Sequence, residues 1–247
     1  MRKCVTAMIM AGGQSERMRA DGDSTHKGLR TAMGRPLIEW SIASLRFFGF
    51  TQIFVAVSSR EPALIAWVAD QQARAIDGLS VTLIEEAQPL GTIGGIRHIT
   101  PEFEDVIVVN VDNLTNLDLR ALATFHRASG ATVTIASHEQ SFVIPYGRLD
   151  VQGDRVTRYA EKPVIEVPVS SGVYVVNRRA LGVITEQGRT DIPEFVEMLL
   201  GRGELVCAYA HASCWLDVNH ERALKAADAL VSSSDWPYAV CRTLADA

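Results

Sequence analysis

The first half of the chain alternates between short apolar runs and longer stretches whose apolar residues recur at helical spacing. Val5–Met10, Ile53–Val57, Val81–Ile84 and Val106–Val111 are near-continuous apolar runs. Such runs suit strands covered on both faces. Between them, Pro36–Phe48, Glu61–Ala75, Thr92–Ile99 and Leu117–Ser129 read as helices. Leu37, Trp40, Ser41, Ile42, Leu45 and Phe48 approximate one helical stripe, and Pro36 suits a first turn, where its missing N–H is not needed. Strand–helix alternation of this kind predicts a mostly parallel sheet with right-handed crossovers and helices on both faces.

The second half changes rhythm. Thr132–Ala136, Tyr146–Val151, Arg155–Ala160 and Ser171–Val176 read as short strands, with Gln152-Gly153-Asp154 as a hairpin turn. Helices are predicted at Asn177–Thr185 and Ile192–Gly201, a strand near Glu204–Ala210, and a last helix over Asn219–Ser232. The expected architecture is an α/β, Rossmann-like three-layer sandwich around a mixed, mostly parallel sheet. It is read as one domain over residues 1–247: a parallel half to residue 130, a mixed half over 131–232 that closes a cleft, and a loose tail at 233–247.

Composition narrows the function classes. The chain has 247 residues, of which 47% are hydrophobic and 21% charged, as in ordinary soluble domains. A net charge of −5 argues against generic nucleic-acid binding, though not against holding one nucleotide. No apolar run approaches the roughly 18 residues of a membrane helix. Met1-Arg2-Lys3 followed by Cys4–Met10 superficially resembles a leader peptide, but Gly12-Gly13 and charged residues follow so soon that a first strand is the better reading. Cys4, Cys207, Cys214 and Cys241 contain no C-x-x-C pair, so a reducing, cytoplasmic setting is expected. Cys207, His211 and Cys214 lack a fourth ligand, and residues 207 and 214 of an extended strand face opposite sides, so no zinc site is read there.

Candidate chemistry gathers where strands end, since open α/β sheets bind ligands outside those ends. The first strand exits into Ala11-Gly12-Gly13-Gln14-Ser15-Glu16-Arg17, with Lys27 ten residues on. Adjacent glycines allow a sharp turn whose free N–H groups can cradle phosphates, and Arg17 and Lys27 add fixed positive charge. The stretch is neither a Walker A loop nor the G-x-G-x-x-G of dinucleotide-dependent redox enzymes. The fourth strand ends in Asp112, which reads either as a metal ligand beside phosphates or as a cap for the following helix, a task Asn113 and Thr115 share. Asp217 closes a short apolar run before the last helix and is equally a cap candidate. Glu161-Lys162-Pro163 reads as an exposed charged turn, or as a ligand contact where the chain bends.

Taken in order, these segments resemble the sugar-1-phosphate nucleotidylyltransferases along nearly the whole chain. Gly12-Gly13, Arg17 and Lys27 resemble the nucleotide-binding signature, and Gln88-Pro89-Leu90-Gly91-Thr92 the base-contacting loop. Asp112 and Trp215-Leu216-Asp217-Val218 resemble the two metal-binding segments, while Tyr146-Gly147, Glu161-Lys162-Pro163 and Ser171-Gly172-Val173-Tyr174 resemble the sugar-phosphate site. The resemblance implies Mg2+-dependent transfer of a nucleotidyl group from a nucleoside triphosphate to a sugar 1-phosphate, with pyrophosphate released. Arg17, Lys27, Asp112, Lys162 and Asp217 would be catalytic, and Asp112 and Asp217 would bind the metal. Ala11, Gly12, Gly13, Gln88, Gly91 and Thr92 would seat the nucleotide, and Gly147, Glu161, Lys162 and Ser171 the sugar phosphate.

The Pro89-Leu90-Gly91-Thr92 run is similar to that of mannose-type guanylyltransferases, which favours GTP and leaves UTP, CTP and dTTP open. There are departures: Ser15 stands for a usual third glycine, His26 and Gly28 for the prolines flanking the signature lysine, and Val111 for the glycine before the metal aspartate. Lys27-Gly28-Leu29 also resembles the guanylyltransferase of molybdenum-cofactor maturation, which lacks the Glu-Lys-Pro and Trp-Leu-Asp-Val segments. Rival readings are a cytidylyltransferase acting on a non-sugar phosphate or phosphonate, and a non-catalytic sugar-nucleotide-binding subunit. No nucleic acid or membrane partner is expected, and a homo-oligomer is implied only by the resemblance.

Overall fold

The computed structural model describes residues 6–13, 25–74, 78–100, 103–184 and 188–232. In chain order the elements are β1 (Thr6–Ala11), β2 (Thr31–Ala32), β3 (Arg35–Pro36), α1 (Leu37–Phe47), β4 (Gln52–Ser58), α2 (Pro62–Ala73), β5 (Ser80–Glu86), β6 (Asp105–Asn110), β7 (Asn113–Thr115) and α3 (Leu119–Ser129). They continue with β8 (Val133–Val143), β9 (Arg148–Gln152), β10 (Arg155–Ala160), β11 (Val164–Asn177), α4 (Ile192–Gly201), β12 (Val206–Ala210), β13 (Trp215–Asp217) and α5 (Glu221–Val231).

Seven strands form one sheet in the order β12-β8-β11-β6-β1-β4-β5. All neighbours are parallel except β11, which runs antiparallel to β6 and β8. The predicted mixed, mostly parallel α/β sheet is therefore present. Its centre explains the apolar runs. Every residue of β1 is buried, and alternate side chains feed opposite layers. Ala7, Ile9 and Ala11 pack with Ile38, Ile42 and Leu45 of α1 and Leu119 and Leu122 of α3. Met8 and Met10 pack on the other face with Ile93, Ile96, Phe195 and Leu199.

Three differences from expectation have physical causes. First, β8 and β11 run well past the predicted Thr132–Ala136 and Ser171–Val176. They leave the sheet as a two-stranded arm, with Val164–Ser170 paired to Ser137–Val143, and the β9–β10 hairpin follows on it. Both arm faces are largely open to solvent, so its residues carry no continuous apolar signal. Second, Gly94–His98 and Arg178–Val183 are 3-10 turns rather than α-helices. Third, β2, β3, β7 and β13 have two or three residues each, too few to show a period.

Candidate active site

The strand ends bring several predicted residues together. Lys27 opens a 3-10 turn, and its Nζ donates to Asp112 Oδ2 at 2.6 Å. The same ammonium lies over the glycine turn, 3.8 Å from where a Cβ on Gly13 would stand. Asp112 does not cap the next helix. Asp118 does so, accepting from the N–H groups of Arg120 and Ala121. Nor does Asp217 cap α5, since His220 does so by accepting from Ala223 N. Asp217 instead accepts from Asn219 Nδ2 at 2.7 Å.

The two aspartates, far apart in sequence, arrive on adjacent backbone. β13 pairs antiparallel with β7, setting Asp217 opposite Asn113, and Val218 N donates to the Asp112 carbonyl at 2.9 Å. Neither carboxylate serves local structure as a helix cap. Two carboxylates on neighbouring strands match how magnesium is usually held, by one or two carboxylates plus phosphate oxygens. The donor set therefore fits the metal the resemblance implies, with the remaining positions left to phosphate and water. Among the described residues no group of three or more His, Cys, Asp or Glu side chains forms a metal cluster, the Cys207, His211 and Cys214 stretch included.

The opposite side of the glycine turn was not read from the sequence. Glu86, at the end of β5, is 2% exposed. A Cβ on Gly12 would lie 2.6 Å from Glu86 Oε2, and one on Gly95 3.2 Å from Oε1. Oε2 also accepts from Leu90 N at 3.3 Å, while buried Oε1 meets no hydrogen-bond partner among the described residues. Burial pushes this carboxyl above the usual range, and the Leu90 N–H only partly offsets it. Glu86 thus props the glycine turn against the Gln88–Thr92 loop. That loop is pinned from beyond. Gly91, at φ +84, has no room for a Cβ against the Thr190 carbonyl; Thr92 N donates to Asp191 Oδ1 at 3.0 Å, and Ile192 N donates to Thr92 Oγ1 at 2.9 Å. Gln88 and Thr92 are exposed at the surface of this loop, and Ala11 is fully buried at the end of β1.

Two departures from the family pattern are neighbours in space. A Cβ on Gly28 would lie 3.0 Å from Val111 Cγ2 and 3.2 Å from His26 Nδ1. The larger residue before Asp112 is accommodated by the smaller residue after Lys27. His26, buried, accepts from Gly28 N at 3.0 Å through Nδ1, and its Nε2 lies 3.3 Å from the Gly13 carbonyl. It ties the turn to the lysine where proline is usual.

The remaining predicted residues form a second group on the arm. Gly147 packs against Tyr159, whose hydroxyl donates to Glu161 Oε2 at 2.9 Å. Lys162 adopts φ +43, a left-handed conformation uncommon for a side chain of this kind. Gly147, Glu161 and Lys162 are exposed. Strand β11 separates them from Ser171, which is fully buried at the root of the arm. There β11 bulges between Ser170 and Tyr174, with Gly172 at φ +67. Burial, with the nearby Asp112 charge, raises the pKa of Tyr174 although Ser170 lowers it. Arg17 lies outside the described residues.

The nucleotidyl transferase family model matches residues 6–233. The chain belongs to this family. Mannose-1-phosphate guanyltransferase of Pichia angusta is 28% identical over 224 residues, covering 87% of this chain and 61% of that protein. The Debaryomyces hansenii enzyme of the same name is 26% identical over 224 residues, with the same 87% and 61% shares. The chain spans about three fifths of the length of these curated relatives. The solved structure of HddC from Yersinia pseudotuberculosis is 21% identical, has a TM-score of 0.69, and is covered to 99% by 92% of this chain; at that identity the likeness shows the fold. The nucleotidyl transferase match takes in the glycine turn, Lys27, Asp112, the arm and Asp217. No helix among the described residues is long and apolar enough to cross a membrane.

Proposed function

We propose that this protein transfers a nucleotidyl group from a nucleoside triphosphate, with GTP favoured, to a sugar 1-phosphate, releasing pyrophosphate. One observation carries the reading: Lys27 bridges the glycine turn and Asp112, and Asp217 arrives on the neighbouring strand. The guanyltransferase names of the curated relatives, and the HddC structure complexed with GMP-PN, support the guanine preference.

In this reading an oxygen of the sugar phosphate forms a new bond to the α-phosphorus while the bond to pyrophosphate breaks. The nucleophile is already anionic, so alignment and charge neutralisation supply the catalysis. The N–H groups of the Gly12–Gly13 turn hold triphosphate oxygens, and Lys27 neutralises charge beside them. Asp112 and Asp217 would hold magnesium, which when bound draws charge from the phosphates as a Lewis acid. Arg17 stabilises the leaving pyrophosphate. Ala11, Gln88, Gly91 and Thr92 seat base and ribose. Glu161 accepts from sugar hydroxyls, Gly147 lets Tyr159 pack close beside Glu161, and Lys162 pairs with the attacking phosphate.

The test is pyrophosphate release with the five common triphosphates against several sugar 1-phosphates and phosphocholine. GTP with a hexose 1-phosphate is the expected pair, and Asp112→Ala should lose roughly a hundredfold or more in rate. Triphosphate binding without pyrophosphate release would replace this reading with the non-catalytic one.

A further inference from the structure

At the root of the arm, two histidines and a serine form a hydrogen-bond chain whose polarity follows atom by atom. Ser171 Oγ lies 2.8 Å from His211 Nε2 and 2.9 Å from His138 Nδ1. Ser213 N, which can only donate, lies 3.3 Å from His211 Nδ1. His211 Nδ1 is therefore a lone pair, and the neutral ring carries its proton on Nε2. Burial lowers the His211 pKa, in keeping with a neutral ring. Its Nε2–H donates to Ser171 Oγ. Ser171 is sealed from water, so its own proton goes to the remaining lone pair in reach, His138 Nδ1. His138 then carries its proton on Nε2. That nitrogen is buried and meets no hydrogen-bond partner among the described residues. The series of donors that begins at the Ser213 amide ends on one N–H with nothing to receive it. An unsatisfied buried donor in a native protein calls for a reason.

Its surroundings supply one. Trp215 packs on His138 with ring centroids 4.4 Å apart, and Trp215 Nε1 donates to the Ser171 carbonyl at 2.8 Å. Asn113 Nδ2 donates to the same carbonyl at 2.8 Å, and Asn113 is both the neighbour of Asp112 and the β-partner of Asp217. His138 therefore stands at the root of the arm that carries Glu161 and Lys162, linked through Trp215 and the Ser171 carbonyl to the acidic corner.

We propose that His138 Nε2–H is a specificity-determining donor to an acceptor oxygen on the sugar of the sugar 1-phosphate, with Ser171 and His211 as positioning residues that hold it in donor form. The inference rests on the transferase reading. A donor fixed in this way favours sugars bearing a hydroxyl or ether oxygen at the contacted position over those bearing an ammonium group there.

The test compares the wild type with His138→Phe, which keeps a ring against Trp215 and removes both nitrogens. The KM for the hexose 1-phosphate should rise about tenfold, as for one lost hydrogen bond, while the KM for the triphosphate holds. One monodeoxy analogue should show the same penalty on the wild type and no further penalty on the variant. Equal rises in both KM values, or a deoxy penalty undiminished in the variant, would overturn the proposal. Nitrogen-15 NMR of histidine-labelled wild type gives a reading independent of variant folding. His138 should be the Nε2–H tautomer, with its Nε2 signal moving when a hexose 1-phosphate is added. An Nδ1–H tautomer, or no response at saturation, would refute it. If the wild type turns over no triphosphate with any sugar phosphate, the transferase reading fails instead, and the tautomer still decides the relay.

Discussion

Replacing Gly172 with alanine should damage the junction between sheet and arm by an amount the structure lets us work out. Gly172 sits at φ +67, where an L side chain costs roughly 1–2 kcal/mol. The new methyl would also collide with Asn113 Nδ2 and lie 2.8 Å from Asn110 Nδ2. Asn113 must then leave the Ser171 carbonyl, giving up a hydrogen bond worth about 0.5–1.5 kcal/mol. Together these predict a loss of roughly 2–3 kcal/mol, or about 5–10 °C in Tm for a domain of this size. Gly153→Ala is the matching control: Gly153 has φ +57 but nothing within 4 Å of an added Cβ, so only the backbone cost remains. Urea unfolding of both variants isolates the collision. Because Asn113 lies beside Asp112 and opposite Asp217, Gly172→Ala should also lower kcat/KM, while Gly153→Ala should not. Equal destabilisation by the two substitutions would refute the crowding argument.

Three further outcomes follow from the packing around the site and beneath it. The folded-state pKa of Glu86 lies above its ordinary 4.5, so between those values the native state binds more protons than the unfolded chain and stability falls as pH rises; urea midpoints followed upward from pH 4.5 should show a slope that Glu86→Gln flattens. Gly28→Ala should cost about 1 kcal/mol by crowding Val111 and His26, and in the Val111→Ala background that cost should fall to what the His26 contact leaves; additivity in the double-mutant cycle would show that positions 28 and 111 are independent. Burial alone would raise the Asp105 carboxyl, but hydrogen bonds from His126 and Asn177 and the nearby charges of His126 and Arg127 bring it below 3.8, so its contribution is present above 3.8 and is lost as pH falls through the folded value. His126→Phe, which takes one partner each from Asp105 and Thr134, should cost about 1–3 kcal/mol at neutral pH and weaken that acid dependence, as thermal unfolding across pH would show.

The central sheet was legible because β1, β4 and β6 are buried on both faces, and their interiors are apolar, with polar residues confined to the strand ends. The arm was half legible. Its hairpin announced itself through Gly153, but Val164–Ser170 alternates with solvent on both faces and shows no stripe. Asp112 and Asp217 were visible as carboxylates at strand ends. What set the cap reading aside was the presence of Asp118 and His220 in the capping positions, which needs helix boundaries more exact than periodicity supplies. Glu86 went unread because its meaning lies in two glycines remote in sequence, Gly12 and Gly95, which leave room for its carboxyl. His211 was noticed beside Cys207 and Cys214, yet its partners are Ser171 and Ser213. Side-chain pairing across strands is set by register, and a one-residue slip would have aimed it elsewhere.

The most direct test of the transferase centre is a crystal structure with Mn2+ in place of magnesium and a non-hydrolysable GTP analogue. An anomalous peak is expected beside Asp112 and Asp217, with the triphosphate lying across the Gly12–Gly13 turn and Lys27 against it. A peak remote from either aspartate, or a nucleotide bound away from that turn, would contradict it.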